Sequence, residues 1–257
     1  MLSITITFLD LWTYSLEILV TATCTSPVNN HLLNYLPIQE RQLFLDVCTP
    51  VELVFGETLN IADEVIKYVY FPLTSFISSF VEVGEKQSLE MGLIGNEGML
   101  GATLALGNPK APMKSIVQGS GSALRMDATM FHHQVKNNLV ISKLIHNYLY
   151  VLIQQLAQTG ACNNFHEVKQ RLARWLLMTQ DRTNSEHLQL THQFLAKILG
   201  VRRSAVTIAA GCLQRQGIIS YNRGQINILS RYGLENSSCQ CYFSSVNAYQ
   251  KTLVISK

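Results

Sequence analysis

The chain has 257 residues, of which 47% are hydrophobic and 14% are charged, and its formal net charge is +3. These values exclude a short or highly polar chain that cannot bury a core. They allow one large domain or two modest ones, and so small a net charge does not by itself indicate a class of partner.

The six cysteines do not indicate disulfides or a zinc site. They lie at positions 24, 48, 162, 212, 239 and 241, which is neither the spacing of a secreted disulfide framework nor that of two CxxC pairs. Cys239 and Cys241 flank a single residue near the end of the chain, and a metal or redox role for this pair stays open. We expect a reduced, structurally idle pair, no metal site and a cytoplasmic protein.

Residues 1–29 form an apolar N-terminal extension to which we assign no function. The stretch lacks the basic start of a signal peptide, and Asp10 and Glu17 interrupt it too early for a membrane span. An amphipathic surface helix, or an extension read from an early start codon, explains it better. We therefore expect no membrane partner.

Residues 30–135 predict a lead-in helix followed by a small β domain. Apolar residues recur at helical spacing from about Asn30 to Leu45, with Pro37 in the first turn. From 50 to 127, short β-branched and aromatic runs alternate with Gly, Pro, Asn and Asp, which is the pattern of many short antiparallel strands. The predicted fold class is therefore α+β, beginning with an antiparallel, jelly-roll-like β-roll.

Residues 136–162 predict one long helix that is apolar around much of its circumference. Ile141, Ile145, Tyr148 and Leu152 follow a four-three-four spacing that suits a helix–helix seam. A helix this apolar must bury more than one face, and it would do so between its own β domain and a twin helix across a two-fold axis. We expect these four residues at a dimer interface. The alternative is a core helix of a monomer.

Residues 190–213 read LTHQFLAKILGVRRSAVTIAAGCL, which predicts a helix-turn-helix. Ala196 is small enough for the second helix to cross the first, and Gly200 adopts the positive φ of a tight turn without a Cβ penalty. The inner face is apolar: Leu195, Leu199, Val201 and Val206. The outward side chains suit phosphate and base-edge contact in a DNA major groove: Arg202, Arg203, Ser204 and Thr207. The alternative is an ordinary helical hairpin with a solvated basic face.

The surrounding sequence favours DNA binding. From His166 to Arg231 there are ten Lys and Arg residues against three acidic ones, a local charge of +7 that leaves −4 for the rest of the chain. A basic C-terminal third is typical of nucleic-acid-binding proteins, and the alternative is a solvated basic surface without a polyanion partner. Residues 217–229 predict two short strands joined at Asn222, Arg223 and Gly224. This hairpin is a wing whose Arg223 meets the DNA backbone.

A β-roll, a long helix and a winged helix-turn-helix, in this order, resemble the Crp-Fnr family of bacterial transcription regulators. The resemblance covers about residues 30–235, and its most specific part is LTHQFLAKILGVRRSAVTIAAGCLQRQGIISYNRGQI. It implies a division of the chain into functional parts. These are a sensor domain at 30–135, a dimerisation helix at 136–162, a winged helix-turn-helix DNA-binding domain at 163–235 and a C-terminal tail at 236–257.

The resemblance also implies a homodimer that reads a two-fold-related site in double-stranded DNA and works with RNA polymerase. Arg203 then contacts base edges and Arg202 contacts phosphate, while Ser204 and Thr207 lie on the outward first turns of the recognition helix. Thr191 takes the position of the N-cap of the first helix in this resemblance, and its hydroxyl would donate to a further phosphate. No residue is given a catalytic role.

The sequence departs from the family where cyclic nucleotides bind. In the members that bind them, a Gly-Glu pair holds the ribose and a later Arg-Ser pair holds the cyclic phosphate. Here Ala102 follows Gly101, and residues 110–113 read KAPM. Lys110 and Lys114 offer charge but not a planar bidentate donor. We therefore expect neither cAMP nor cGMP, and no other cofactor.

The other cofactors of the family are not expected either. Cys24 and Cys48 are too few and too far apart to ligate the iron–sulfur cluster of some members. His31, His132 and His133 are the candidate axial ligands for a haem, but we expect them to be exposed histidines without that role.

Two other functions stand as alternatives. A signalling module that binds a partner protein on a β-roll scaffold would have lost DNA binding, and the intact outward arginines argue against it. A cupin-like metal enzyme needs histidines and carboxylates on neighbouring strands, yet residues 50–127 contain no histidine. His132 and His133 are adjacent on a helix, where they diverge by about 100° and cannot share an ion. We therefore expect no enzyme activity.

Overall fold

The computed structural model describes residues 28–84, 87–183 and 185–253. The N-terminal extension at 1–29 lies almost wholly outside these ranges, so the expectations for it are untested. The predicted lead-in helix is two helices, α1 (His31–Asn34) and α2 (Ile38–Leu45), because Pro37 is the N-cap of the second. Proline disfavours helical backbone at the residue before it, which separates the two elements.

The β-roll is confirmed and consists of two antiparallel sheets. Its strands are β1 (Thr49–Leu53), β2 (Thr58–Asn60), β3 (Tyr68–Pro72), β4 (Phe76–Val83), β5 (Gln87–Ile94), β6 (Lys114–Gly119) and β7 (Gly121–Asp127). One sheet has the order β1-β7-β3 and the other β2-β6-β4-β5. Both sheets contribute to an apolar cluster that includes Leu53, Ile77 and Val117. Strands β3 and β4 bury runs of consecutive residues instead of alternate ones, so both faces of these strands are largely covered.

Two helices follow the roll, α3 (Ala128–Asn137) and α4 (Leu139–Phe165). Asn138 ends the first and caps the second, since its Oδ1 accepts hydrogen bonds from the N–H groups of Val140 and Ile141. The two helices are therefore separated by the N-cap of the second. Helix α4 extends three residues beyond the predicted end at 162.

The predicted dimer seam of α4 lies inside the protomer. Ile141, Ile145 and Tyr148 are at most 2% exposed, and Leu152 packs partly buried against the same core as the β-roll and the 3₁₀ turn Ala102–Leu106. The Tyr148 hydroxyl accepts from the Met99 N–H at 3.0 Å and donates to the Met99 carbonyl at 3.1 Å. These four side chains therefore agree with the alternative interpretation, in which they belong to the core of the protomer.

The C-terminal third is a winged helix-turn-helix. It comprises α5 (Val168–Thr183), β8 (His187–Gln189), α6 (His192–Leu199), α7 (Arg203–Arg215), β9 (Ile219–Asn222), β10 (Gln225–Ile228) and α8 (Arg231–Ser237). The three strands form an antiparallel sheet of order β8-β10-β9. Leu172, Leu195, Val206 and Leu213 belong to one core that also includes Phe80 of β4.

Part of the predicted C-terminal tail, residues 241–253, is a packed helix. Helix α9 (Cys241–Leu253) runs against α4 and adds Leu253, Ala248 and Tyr249 to the core beneath the β-roll. No helix in the described residues is long and apolar enough to cross a membrane.

Two buried polar contacts join the β-roll to α5. The Trp175 Nε1–H donates to Glu90 Oε1 at 2.9 Å, and the Ser78 hydroxyl donates to the other oxygen of Glu90. Arg182 pairs with Glu97 at 2.7 Å, with side chains only 6% and 17% exposed. The winged helix-turn-helix therefore packs on the sheet that contains β4 and β5.

Candidate nucleic-acid interface

The turn between α6 and α7 has the geometry that its sequence predicts. Thr191 is the N-cap of α6, because its Oγ1 accepts the N–H of Phe194 at 3.1 Å. Gly200 ends α6 in the left-handed region at φ 62°. The Val201 N–H then donates a hydrogen bond to the Ala196 carbonyl at 3.0 Å. This compact turn allows α7 to cross α6 over the buried side chain of Ala196.

The first turns of α7 present cationic, hydroxyl and apolar groups to solvent. Arg202 precedes the helix as its N-cap without a side-chain capping bond, and Arg203, Ser204 and Thr207 are exposed on it. Ile208 lies beside Thr207 and is 66% exposed. An exposed isoleucine on a helix that faces outward suits contact with a thymine methyl group. Its position two residues after the buried Val206 places it off the core face of α7, a signal that the sequence contained but that was not used.

His192 and Tyr221 connect the helices to the wing, and sequence reasoning missed both. Their rings stack with centroids 4.1 Å apart and planes at 14°. His192 Nδ1 lies 3.0 Å from Thr207 Oγ1. Burial, and then the charge of Arg203, lower the pKa of His192, which keeps its imidazole neutral near pH 7. The stack thereby positions Thr207 without adding charge to the surface.

The wing is a two-residue hairpin between β9 and β10. Arg223 and Gly224 both have positive φ, 45° and 84°, which is the backbone of a type I′ turn. The Leu190 N–H donates to the Gly224 carbonyl at 2.7 Å. The exposed tip with Arg223 therefore lies next to Thr191, the start of α6.

A groove of about 1500 Å³ separates the start of α7 from the edge of the β-roll. Phe55 and Leu89 line it on one side, and Phe194 and the turn at Gly200 line it on the other. Its charged lining residues within the described part of the chain are all cations: Lys197, Arg202 and Arg203. This distribution suits a polyanion, since no carboxylate in that lining opposes it.

These features define a class of protein, a β-roll joined by a long helix to a winged helix-turn-helix. The comparisons agree with it. Residues 170–237 match the Crp-like helix-turn-helix domain. The predicted resemblance to the Crp-Fnr family is confirmed for this helix-turn-helix domain, which is about a quarter of the chain. No curated protein sequence matches the chain.

Solved structures share the fold at low sequence identity. FixK2 from Bradyrhizobium japonicum is 16% identical over 75% of this chain and 98% of its own, with a TM-score of 0.65. A CRP/FNR-family transcriptional regulator from Thermus thermophilus is 18% identical over 74% and 98%, with a TM-score of 0.61. CLP, a c-di-GMP responsive global regulator of Xanthomonas campestris, is 13% identical over 76% and 100%, also at 0.61. The β-roll, long helix and helix-turn-helix of this chain thus form the same fold as these three structures.

The β-roll contains a cavity of about 270 Å³ between its sheet and α4. Gly101 and Ala102 line it, together with apolar side chains such as Met91, Leu100 and Leu149. No Asp, Glu, Lys or Arg belongs to its described lining. Lys114 pairs with Glu82 at 3.1 Å on the surface, and Lys110 does not line the cavity.

The remaining candidate ligands fall into two groups. His31, His132 and His133 are exposed, on α1 and α3. Cys162 and His166, by contrast, meet Cys239 and Cys241, with all four ligand atoms within 4.8 Å of one another. The expectation of an idle cysteine pair and of no cofactor is therefore not confirmed.

Proposed function

We propose that the protein is a homodimeric, sequence-specific DNA-binding transcription regulator of the cytoplasm, with RNA polymerase as its further partner. One observation carries the proposal: a Crp-like helix-turn-helix whose second helix begins with the exposed cations Arg202 and Arg203. Such a helix fits the major groove of duplex DNA with its N-terminal residues toward the base edges.

The exposed residues take different roles in this proposal. Arg203 reads a base edge, with Ser204 and Thr207 beside it on the recognition helix. Arg202 and Thr191 contact phosphates on the side of α6, and Arg223 contacts the backbone from the wing. Phosphate contacts fix the position of the protein on DNA, whereas base contacts select the sequence.

These roles can be tested with duplexes selected by the wild-type protein from a random-sequence pool. For Arg203→Ala, discrimination between the selected and an unrelated duplex is expected to fall by about 1–3 kcal/mol. For Arg202→Ala, affinity falls on both duplexes alike, and the salt slope of binding falls by about 1. Lys136→Ala, an exposed lysine on α3, is the control and leaves binding unchanged. Selection of no sequence by the wild type would instead support the protein-interaction module.

The dimer contact is proposed on the exposed face of α4, because the predicted seam is buried within the protomer. Tyr150 and Ile153 are 54% and 63% exposed, and Ala157 and Gly160 continue this face at helical spacing. Together they form an apolar stripe that a twin helix would cover. Ile153→Glu is expected to convert a dimer into a monomer in analytical ultracentrifugation. Ile38→Glu, equally exposed on α2, is the matched control.

The sensor cavity is proposed to bind an uncharged, largely apolar molecule and no cyclic nucleotide. A cyclic phosphate needs a cation or several donors, and the described lining offers only amide, hydroxyl and backbone groups such as those of Gln155, Ser79 and Thr103. Isothermal titration with cAMP and cGMP is expected to show no binding. A sub-micromolar affinity for either nucleotide would contradict this part of the proposal.

A further inference from the structure

Four side chains with metal-ligating atoms converge where α4 ends. Cys162 and His166 are one helical turn apart, so they lie on the same face of the helix. Cys239 and Cys241 come from the connection between α8 and α9, where Cys241 is the first residue of the last helix. Packing of α9 along α4 brings the two pairs together, although more than seventy residues separate them in the chain.

The distances among these groups suit a single tetrahedral ion. The Cys162 and Cys239 sulfurs are 3.5 Å apart, and the Cys241 sulfur lies 3.5 Å from His166 Nδ1. All four ligand atoms lie within 4.8 Å of one another. A tetrahedron with metal–sulfur bonds of about 2.3 Å has edges of about 3.8 Å, so the ligands already stand near their bound positions.

The cluster is enclosed, as a structural metal site is. Cys162, Cys239 and Cys241 are 1%, 3% and 2% exposed and form a small buried cluster of their own. The Gln158 amide donates to the Cys241 sulfur at 2.9 Å. Hydrogen bonds from outside the ligand set orient metal ligands and stabilise their charged form.

Two buried arginines next to the cluster provide a second observation. Arg171 and Arg174 are 8% and 7% exposed, and they line the same cleft as Cys162. Neither forms an ion pair in the described part of the chain, and the Nε atom of each is without a hydrogen-bond partner there. Buried guanidinium groups require negative charge nearby, and Glu90, which lines the same cleft without a salt bridge to either arginine, is one carboxyl group beside two cations. Three thiolates around a divalent ion, with a neutral histidine, carry a net charge of about −1 and would meet this requirement.

We propose that Cys162, His166, Cys239 and Cys241 bind one zinc ion in a closed, tetrahedral structural site. Three thiolates and one imidazole are ligands that select zinc among the common divalent ions, and the four protein ligands leave no open position for substrate. The thiols release their protons when the ion binds.

The site would join three parts of the fold: the end of α4, the start of the DNA-binding domain and the C-terminal helix. His166 is the C-cap of α4 and lies two residues before α5. An ion bound there fixes the direction in which the chain leaves α4, and it attaches α9 to that helix. The inference stands on this geometry and does not depend on the proposed function.

The test uses the full chain, purified reduced and without chelators. Elemental analysis is expected to find about one zinc ion per chain. Replacement of zinc by Co²⁺ is expected to give thiolate-to-cobalt charge transfer and the visible bands of a tetrahedral site. A strong chelator is expected to lower the thermal unfolding midpoint, and added Zn²⁺ to restore it.

Variants separate loss of a ligand from loss of the fold. His166→Ala is expected to lose the zinc, whereas His166→Cys places a thiolate ligand at this position and retains the ion. Gln158→Leu weakens zinc binding by roughly 10–100-fold, the usual effect of removing an outer hydrogen bond. Cys48→Ser removes a half-buried cysteine elsewhere and leaves the zinc content unchanged.

Each contrary outcome is also distinct. Absence of zinc from folded wild-type protein to which Zn²⁺ has been added would overturn the proposal. Iron in place of zinc would overturn it too. A disulfide between Cys162 and Cys239 that persists in a reducing buffer would have the same consequence. Equal zinc content in the wild type and in folded His166→Ala would remove the histidine from the site and refute the four-ligand assignment.

Discussion

Replacing Glu90 with glutamine is expected to stabilise the protein at about pH 8 and to change how its stability depends on pH. Glu90 is buried between the β-roll and α5, where it accepts hydrogen bonds from Ser78 and Trp175. Glutamine has nearly the same shape. Its oxygen accepts from Trp175, and its amide group donates to the Ser78 oxygen, so both hydrogen-bond positions remain filled.

The expected magnitude follows from the pKa of this carboxyl group. Burial raises the pKa from 4.5 to about 7, against smaller opposing effects of the two hydrogen bonds and of the Arg182 and Arg174 charges. Between these two values the folded chain holds a proton that the unfolded chain has lost, so stability falls as pH rises from 4.5 to 7 and is then constant. At ~1.4 kcal/mol per pH unit, ionisation costs up to roughly 3 kcal/mol. Glutamine has no such cost.

Urea unfolding of both proteins from about pH 5 to 8 measures the effect. The difference in unfolding free energy is expected to favour Glu90→Gln increasingly as pH rises. Glu97→Gln at the same junction is the contrasting control, because it leaves the buried Arg182 without its ion-pair partner. That variant is expected to lose about 3–5 kcal/mol. Parallel pH profiles for the wild type and Glu90→Gln would refute the reasoning about Glu90.

Three further variants test other parts of the structure. Tyr148→Phe leaves the Met99 N–H and carbonyl without their side-chain partner, so urea unfolding should show a loss of about 1–3 kcal/mol with unchanged dimer dissociation; weakened dimerisation instead would return this residue to the subunit interface. Gly200→Ala places a Cβ at φ 62°, which should lower the unfolding free energy by about 1–2 kcal/mol; no loss would mean that the turn relaxes. Arg223→Ala should lower the salt slope of DNA binding by about 1 without altering sequence preference, whereas a changed preference would make it a base-reading residue.

The DNA-binding domain could be predicted because its signals are local. Ala196, Gly200 and the wing turn at Arg223 and Gly224 lie within thirty residues, and each restricts the backbone directly. The β-roll was predictable for the same reason, since short β-branched and aromatic runs and the turn residues between them are read over a few positions. The stack of His192 on Tyr221 was not, because it joins α6 to the wing and neither residue has a spacing that indicates the other.

Hydrophobic periodicity alone does not determine what the apolar face of α4 packs against. The spacing of Ile141, Ile145 and Tyr148 correctly identifies one buried face, but an apolar face packs equally well on its own β-roll and on a twin helix. The packing partner of this face is decided by two other parts of the chain. The β-roll, which precedes α4 in sequence, and α9, which follows it, both pack on α4. Only the described structure shows that Tyr150 and Ile153, in the middle of α4, are among its exposed apolar side chains.

The cysteine cluster was missed because its two halves are distant in sequence and neither has a CxxC spacing. Cys162 and His166 do have a ligand spacing for one face of a helix, and Cys239 and Cys241 are close enough to bind one ion. The missing information was the position of α9. An amphipathic helix after the wing was not recognised at 241–253, so nothing placed its first residue beside α4.

Four consecutive residues of β5 connect the parts of this molecule. Gly92 and Met91 line the sensor cavity, and Glu90 accepts the Trp175 hydrogen bond from the DNA-binding domain. A Cβ on Gly200 would lie 2.7 Å from Leu89 Cδ1, so this side chain lies against the turn of the helix-turn-helix. One strand thus touches the cavity, α5 and the turn before α7. Close-packed interiors transmit displacement instead of absorbing it. A displacement of β5 at the cavity would therefore reach the turn before α7 through these contacts.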